Sequence, residues 1–341
     1  MSAAGTRAAG PGTPPTASTA DRTRTPGPSG GRPTPERPGG RAPGRRRIRT
    51  PLPYALIAPA VLGLGAVLGW PMIHMIILSF QDMRRNNLWG NLPAPWVGLD
   101  QYTRILGDSH FWVVAARTGL FVVVCVLLSM SLGLLTAMLM QRVSTWVRLL
   151  IIAALVAAWS IPRLVATSIF RWLFDTDYGF ANSALTALGF DHQGHNWFVN
   201  PWSGFGVIVL VVVWGALPFI AITLYAALTQ VPKELEEAAR MDGASGAGIF
   251  RHVTLPVIKP VLTMVTTLSV IWDFGVFEQV WLMRGAHVEA DYELLGLYAF
   301  NAAFTGNSFS QGAAIALITM LLLLGISLFY LRQMLKIGED E

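Results

Sequence analysis

The side chains that could do chemistry in this sequence are few, and spacing disposes of most of them. A phosphate-cradling loop needs Gly-Lys followed by Ser or Thr. The three lysines, Lys233, Lys259 and Lys336, instead follow Pro232, Ile258 and Leu335, so the chain carries no such loop. No His is followed by Glu, so HExxH is absent too. Cys125 is the single cysteine, which excludes an intramolecular disulfide and a Cys-based zinc site. Asp191, His192 and His195 imitate a metal trio, but they sit beside Gly194 between apolar runs and read as a solvated loop; no metal is expected. What remains lies inside the apolar runs: Arg163, Asp273 and Glu278. Charge there is costly, so each implies a partner, a ligand or a coupling ion. Trp272, Phe277 and Trp281 surround the two acids. On a straight helix Asp273 and Glu278 point about 140° apart. They converge only where the helix is distorted, which Gly275 permits. Pairing of both acids with basic residues, in this chain or another, is the other reading.

The elements that carry these residues are membrane spans. Of 341 residues, 53% are hydrophobic and only 13% charged, with mean hydropathy +0.49. A soluble domain carries about 25% charged residues, so the composition speaks against a soluble globular enzyme and for a membrane protein. Six apolar runs, at about 54–80, 112–140, 148–174, 204–230, 261–283 and 311–331, each reach the roughly 20 residues a transmembrane helix needs. None alternates in polarity as barrel strands do. The predicted fold is all-α and polytopic, with six transmembrane helices.

Charge sets the expected orientation. Residues 1–50 hold 10 Arg, two acids, 9 Pro and 9 Gly; the rest of the chain is net acidic. Such a segment reads as a disordered tail, and Arg45, Arg46, Arg47 and Arg49 beside the first run read as a topological signal and a contact for anionic lipid. No aromatic is interleaved with these arginines, so nucleic acid is not an expected partner. With the tail inside, Arg142, Lys233, Arg240, Arg251, Lys259, Arg332 and Lys336 fall inside as well. Arg84, Arg85, Arg104 and Arg284 fall outside, with Asp82, Asp100, Asp108, Asp175, Asp177, Asp191, Glu289, Asp291 and Glu293, so the Lys/Arg bias is modest without the tail and strong with it. Both termini are therefore expected to be cytoplasmic, with a short tail at 336–341. Arg117 and Arg171, near the outer boundary, are expected to snorkel to water. Most of the 12 Trp read as an interfacial belt.

The inner loop 231–260 is the most informative stretch. Pro232 suits a helix N1 position, and Glu234, Glu236 and Glu237 lie favourably near a helix N-terminus. Ala238 and Ala239 favour helix and present almost no side chain. Gly243 ends or bends that helix, and Pro256 and Pro260 mark the return to the membrane. A short, flat-faced helix outside the bilayer results, suited to a partner's cleft.

These residues also carry a resemblance. Glu237-Ala238-Ala239, three residues, Gly243, nine residues, Val253, then Leu255-Pro256 resembles the EAA signature of bacterial ABC importer permeases. Asp242-Gly243-Ala244 and Phe250 resemble its carbohydrate-importer form. Pro162, Trp172, Leu173, Phe174, Gly179 and Asn182 look like the third-span exit of the maltose-type first permease, and Pro53 through Gln81 is similar to its opening span. About 51–335 is covered. One departure stands out: a Gly-rich exit from the fifth span is replaced by Leu282-Met283-Arg284-Gly285-Ala286-His287-Val288.

The resemblance implies a type I importer permease fold in a bacterial plasma membrane. The chain forms half of a sugar pathway and is not itself an enzyme. It implies a second permease subunit, two ATPase subunits holding ATP and magnesium, and an extracytoplasmic solute-binding protein, with no cofactor on this chain. Glu237, Ala238, Ala239, Asp242, Gly243, Leu255 and Pro256 take the ATPase-coupling positions. Carboxylates suit sugar hydroxyls and aromatic rings suit sugar faces, so Trp272, Asp273, Phe277, Glu278 and Trp281, with Arg163, become the expected substrate pathway. A permease for a polyol or sugar phosphate, in which Arg163 meets the anion, is the near alternative. An ion-coupled secondary transporter using Asp273 or Glu278 is the distant one.

Overall fold

A computed structural model describes residues 52–90, 92–285 and 288–339. The predicted tail 1–50, residues 340–341, and Ala286 and His287 of the fifth-span exit lie outside the described residues. Two units are distinguished, Met1–Ile57 and Ala58–Glu341. The second holds every element below except the first turn of the opening helix. Among the described residues there is no strand, only the isolated bridges Gln81–Trp96 and Arg84–Ser308.

The spanning elements are helices. They are α1 (Leu56–Ser79), α2 (Ser109–Arg142), the bent pair α3 (Thr145–Trp159) and α4 (Arg163–Leu173), α5 (Pro201–Leu228), α7 (Gly246–Phe274) and α10 (Phe309–Glu339). Between them lie α6 (Lys233–Met241), α8 (Glu278–Arg284) and α9 (Leu295–Phe300). Five helices are long and apolar enough to cross a membrane, or six if the bent pair is one span. The helix starts follow the capping rules: Asp108 accepts from the His110 N–H at 2.9 Å, and Asn200 accepts from the Trp202 N–H at 2.9 Å.

Three predicted boundaries are corrected. The run expected as one span over 148–174 is broken by 96° between α3 and α4. Pro162 causes the break, because it has no N–H to give and bars its predecessor from helix. The run expected over 261–283 starts earlier and ends earlier. The helix begins at Gly246, widens into a π turn over Phe250–Thr254, runs through Pro256 and Pro260, and stops at Phe274. The π turn falls where the Pro256 ring would otherwise meet the preceding turn of α-helix. Glu278 opens a separate helix, α8. Finally, residues 336–339 continue α10 rather than forming a tail.

Helices α2 and α5 form the centre. Phe121, Cys125 and Val126 pack with Ile208, Val212, Leu295 and Ile315 toward one end, and Ala137 packs with Ile220, Leu224, Leu228 and Ile258 toward the other. Gly133 allows this closeness, because a Cβ there would lie 2.4 Å from Ile220 Cγ2. Helix α1 packs against α10 and leaves Leu62, Val67, Leu68 and Trp70 exposed. A helix apolar on every side but uncovered is suited to lipid or to a second membrane subunit.

The connection between α8 and α10 folds over the start of α2. His110 Nε2 meets Glu293 Oε2 at 2.8 Å, and the Leu295 N–H donates to Thr118 Oγ1 at 3.0 Å. Arg117, expected to snorkel at the outer boundary, donates from its Nη1 to the Ala290 and Glu293 carbonyls at 2.7 and 3.1 Å.

Candidate functional site

The two helix breaks lie beside one cavity of about 170 Å³. Its wall takes Trp159 from α3, Arg163, Ala166 and Thr167 from α4, and Val212, Trp214, Gly215 and Phe219 from α5. Trp272 and Asp273 from the end of α7, then Val276 and Gln279, complete it. The local sequence explains this placement. Helix α7 stops where the Gly275 and Val276 N–H groups turn back onto the Trp272 and Asp273 carbonyls at 3.1 and 3.3 Å. That turn leaves Trp272 and Asp273 as the last residues of a helix whose end faces the α3–α4 break.

The polar chemistry of the wall is unfinished. Thr167 and Asp273 are only 1% and 4% exposed, yet Thr167 Oγ1 and Asp273 Oδ2 have no hydrogen-bond partner among the described residues. Buried polar groups are nearly always satisfied, so two orphans on one cavity call for an occupant that donates or accepts. Arg163 and Gln279 add a fixed cation and an amide to the same wall. Aromatic rings follow one another beside it: Trp159 to Phe219 at 6.2 Å, Phe219 to Trp272 at 5.2 Å, and Phe170 to Trp214 at 5.7 Å. The result is a half-aromatic chamber with a carboxylate, a guanidinium, an amide and a hydroxyl, suited to a small polar molecule with apolar faces.

Of the six residues expected on the pathway, the cavity gathers Arg163, Trp272 and Asp273. Phe277, Glu278 and Trp281 are not in its wall. Phe277 stacks on Trp281 at 5.7 Å, and both meet Phe300 edge-on, at 5.3 and 4.9 Å. Glu278 opens α8 and is half-buried. Sequence reasoning missed Trp159, Thr167, Trp214 and Gln279. For Trp214 a signal existed: it stands mid-span, within four residues of Gly215 and Pro218, away from any interface.

The second candidate surface is the inner loop. Pro232 is the N-cap of α6 rather than its N1 residue, with ψ 126. Glu234 and Glu236 lie in the first turn and Arg240 in the last, each matching the helix dipole. The helix ends in a Schellman motif: the Gly243 N–H donates to the Arg240 carbonyl and the Ala244 N–H to the Ala239 carbonyl, both at 3.0 Å. Gly243 has φ +82, which glycine adopts without penalty. Ser245 then caps the next turn, accepting from the Gly248 N–H at 3.2 Å.

Helix α6 is fixed at its base and bare on its outside. Val231 is buried with Leu228 and Ile258, and Leu255 packs on the same cluster. Thr254 Oγ1 reaches Glu236 Oε1 at 3.4 Å. Glu237, Ala238, Asp242, Gly243 and Pro256 are exposed, Ala239 is half-buried, and Leu235 and Met241 are 50% and 88% exposed. Leu235 and Met241, six residues apart, point about 120° away from each other around the helix axis, so they flank the small residues rather than join into one patch.

The sequence and the fold both have known relatives. The family described as binding-protein-dependent transport system inner membrane component matches residues 129–336. The diacetylchitobiose uptake system permease protein DasB of Streptomyces coelicolor is 38% identical, over 89% of this chain and 92% of its own. The trehalose/maltose transport system permease protein MalF of Thermococcus litoralis is 33% identical, over 79% and 92%. In three dimensions, a chain from the crystal structure of a bacterial ABC transporter involved in import of the acidic polysaccharide alginate superposes with TM-score 0.72. It covers 84% of this chain and 95% of that one at 19% identity, a likeness of fold.

Proposed function

The chain belongs to the binding-protein-dependent transport system inner membrane component family, and on that premise we propose that it forms half of the pathway of an ATP-driven importer for an oligosaccharide or disaccharide. The observation that carries the substrate class is the cavity at the paired helix breaks. Its unpartnered Asp273 and Thr167 oxygens offer hydrogen bonds to hydroxyls, and Trp159, Trp214 and Trp272 offer faces to pyranose rings. The names of the relatives, a diacetylchitobiose uptake permease and a trehalose/maltose permease, point the same way.

The chain is a multi-pass membrane protein of transport and carries no hydrolase chemistry in this reading. ATP and magnesium belong to two ATPase subunits docked on α6 from inside. Glu237, Ala238, Ala239, Asp242 and Gly243 supply the contact, while Leu255 and Pro256 join it to α7. A second permease subunit completes the pathway and a solute-binding protein delivers the sugar. Both termini lie in the cytoplasm of a bacterial cell. ATP-driven movement of α6 passes directly into α5 and α7, because Val231 and Leu255 are packed on both, and the pathway alternates its access around the cavity.

Reconstitution of the chain with its co-purifying subunits in proteoliposomes tests the reading. ATP-dependent uptake of a di- or oligosaccharide, saturable and weakened by Asp273→Asn, supports it. Uptake of no sugar while ATP is hydrolysed refutes the substrate class. One observation favours a second reading: Arg163 in the same wall would suit an anionic sugar. Competition between neutral sugars and sugar phosphates separates the two.

A further inference from the structure

Two short helices border the cavity on the side away from α6, and each begins just after a break. Helix α4 follows the 96° bend at 160–162, and α8 follows the break at 275–277. The two pack against each other and against α5. Arg171 Nη1, near the end of α4, donates to the Leu282 carbonyl of α8 at 3.1 Å. That carbonyl lies in the last turn of a helix, where no intrahelical N–H reaches it.

The far ends of both helices are strapped to the start of α5. Arg284, the last residue of α8, is ion-paired with Glu289 at 3.0 Å. Its guanidinium lies 4.3 Å from the centre of the Tyr292 ring. The Tyr292 hydroxyl donates to the Phe198 carbonyl at 2.9 Å, next to the cap of α5. The side chain of Arg284 is only 15% exposed although it stands at the very end of its helix. The arginine that displaces a Gly-rich exit thus becomes a packed staple. On the α4 side, Phe174 meets Trp197 edge-on at 5.3 Å.

We infer that α4 and α8 move as one plate over the outer side of the cavity, hinged at 160–162 and 275–277, with Arg171 the positioning residue that locks the two helices together. The inference rests on the cavity being the pathway. Both hinges are chain breaks able to absorb a change of φ and ψ, and both plate members contribute wall residues, Thr167 and Gln279 among them. A plate built so opens and closes as a unit because a backbone carbonyl, not only side-chain packing, ties its halves.

Distance measurements by double electron–electron resonance test this on the full chain with its ATPase subunits in nanodiscs, in a Cys125→Ser background. One spin-label pair at Trp172→Cys and Leu282→Cys spans the plate, and another at Trp146→Cys and Trp172→Cys spans the hinge. The plate pair should give one narrow distance, the same without nucleotide and with ATP and vanadate, while the hinge pair shifts between the two states. Arg171→Met, which keeps the stem and loses the donor, should broaden the plate distance; Arg171→Lys should leave it narrow. A plate distance that shifts as far as the hinge distance overturns the inference, as does a hinge distance that never shifts or an Arg171→Met plate as narrow as the original. If no ATPase subunit associates, the importer reading fails instead, and the width of the two distributions in the chain alone still decides whether the plate is rigid.

Discussion

Thr167 and Asp273 line the same cavity, each with a buried oxygen that has no hydrogen-bond partner among the described residues, and the contrast with other threonines shows how unusual that is. Thr118 and Thr136 bond back to the carbonyl four residues earlier, both at 2.8 Å, as helical threonines commonly do. Thr167 Oγ1 does not. Thr167→Val keeps the shape and removes a hydroxyl with no partner among the described residues, so thermal stability in detergent should change by less than about 1 kcal/mol. If the hydroxyl serves the sugar, KM for uptake should rise about tenfold, the loss of one hydrogen bond worth about 1.4 kcal/mol. A KM that stays put, or a fall in stability, would remove Thr167 from the pathway. Asp273→Asn keeps the hydrogen-bonding shape but leaves Arg163 as the only fixed charge of the wall. Neutral-sugar uptake should weaken, and competition by sugar phosphates should strengthen relative to the original chain. The charged residues of this wall were legible in the sequence because a charge inside an apolar run needs explaining. Thr167, Trp159 and Trp214 were not, because threonine normally satisfies itself within a helix and tryptophan normally reads as an interfacial anchor.

Among the elements, α6 is the one whose ends are written out most fully in residues. Pro232 caps its start, and the Arg240–Gly243 and Ala239–Ala244 bonds close it with the chain at φ +82. A side chain with a Cβ is strained at that φ by about 1–2 kcal/mol, and asparagine tolerates it best. Gly243→Asp should therefore abolish uptake and release the ATPase on co-purification while membrane insertion is unchanged, and Gly243→Asn should fall between. Equal, full uptake by both variants would take the coupling role from this turn. At the helix centre the consequence is packing rather than docking. Gly133→Leu would push about four heavy atoms against Ile220, and overpacking of this kind costs about 1–3 kcal/mol, readable as a lower thermal midpoint in detergent. The spans themselves were legible from apolar length alone. Their breaks were not, because a 27-residue apolar run has the same composition whether it crosses straight or bends by 96° at Pro162. Only Pro162 and Gly275 hinted at where the backbone would give way, and neither residue states an angle.

At the scale of the whole molecule the open question of placement is which face meets which compartment. Helix α6 and the loop 174–200 lie at opposite ends of α5, since α5 is a single helix of 28 residues, about 42 Å long. The end with α6 carries Lys233, Arg240, Arg251 and Lys259, and the other carries Asp175, Asp177 and Asp191, the bias that keeps positive loops in the cytoplasm. Single-cysteine labelling tests this with little engineering, because Cys125 is 0% exposed and should stay silent toward a membrane-impermeant maleimide. Met241→Cys, at a position 88% exposed, should label only in inside-out vesicles. Tyr178→Cys, at a position 81% exposed, should label only in intact spheroplasts. The reverse pattern would put α6 outside, away from any cytoplasmic ATPase, and would undo the importer assignment along with the orientation. The same vesicles carry a further check: bound ATPase should protect Met241→Cys, and ATPase lost through Gly243→Asp should expose it again. Protection that survives Gly243→Asp would mean that α6 docks without its Schellman turn, and the turn would then serve the fold of the loop rather than its partner.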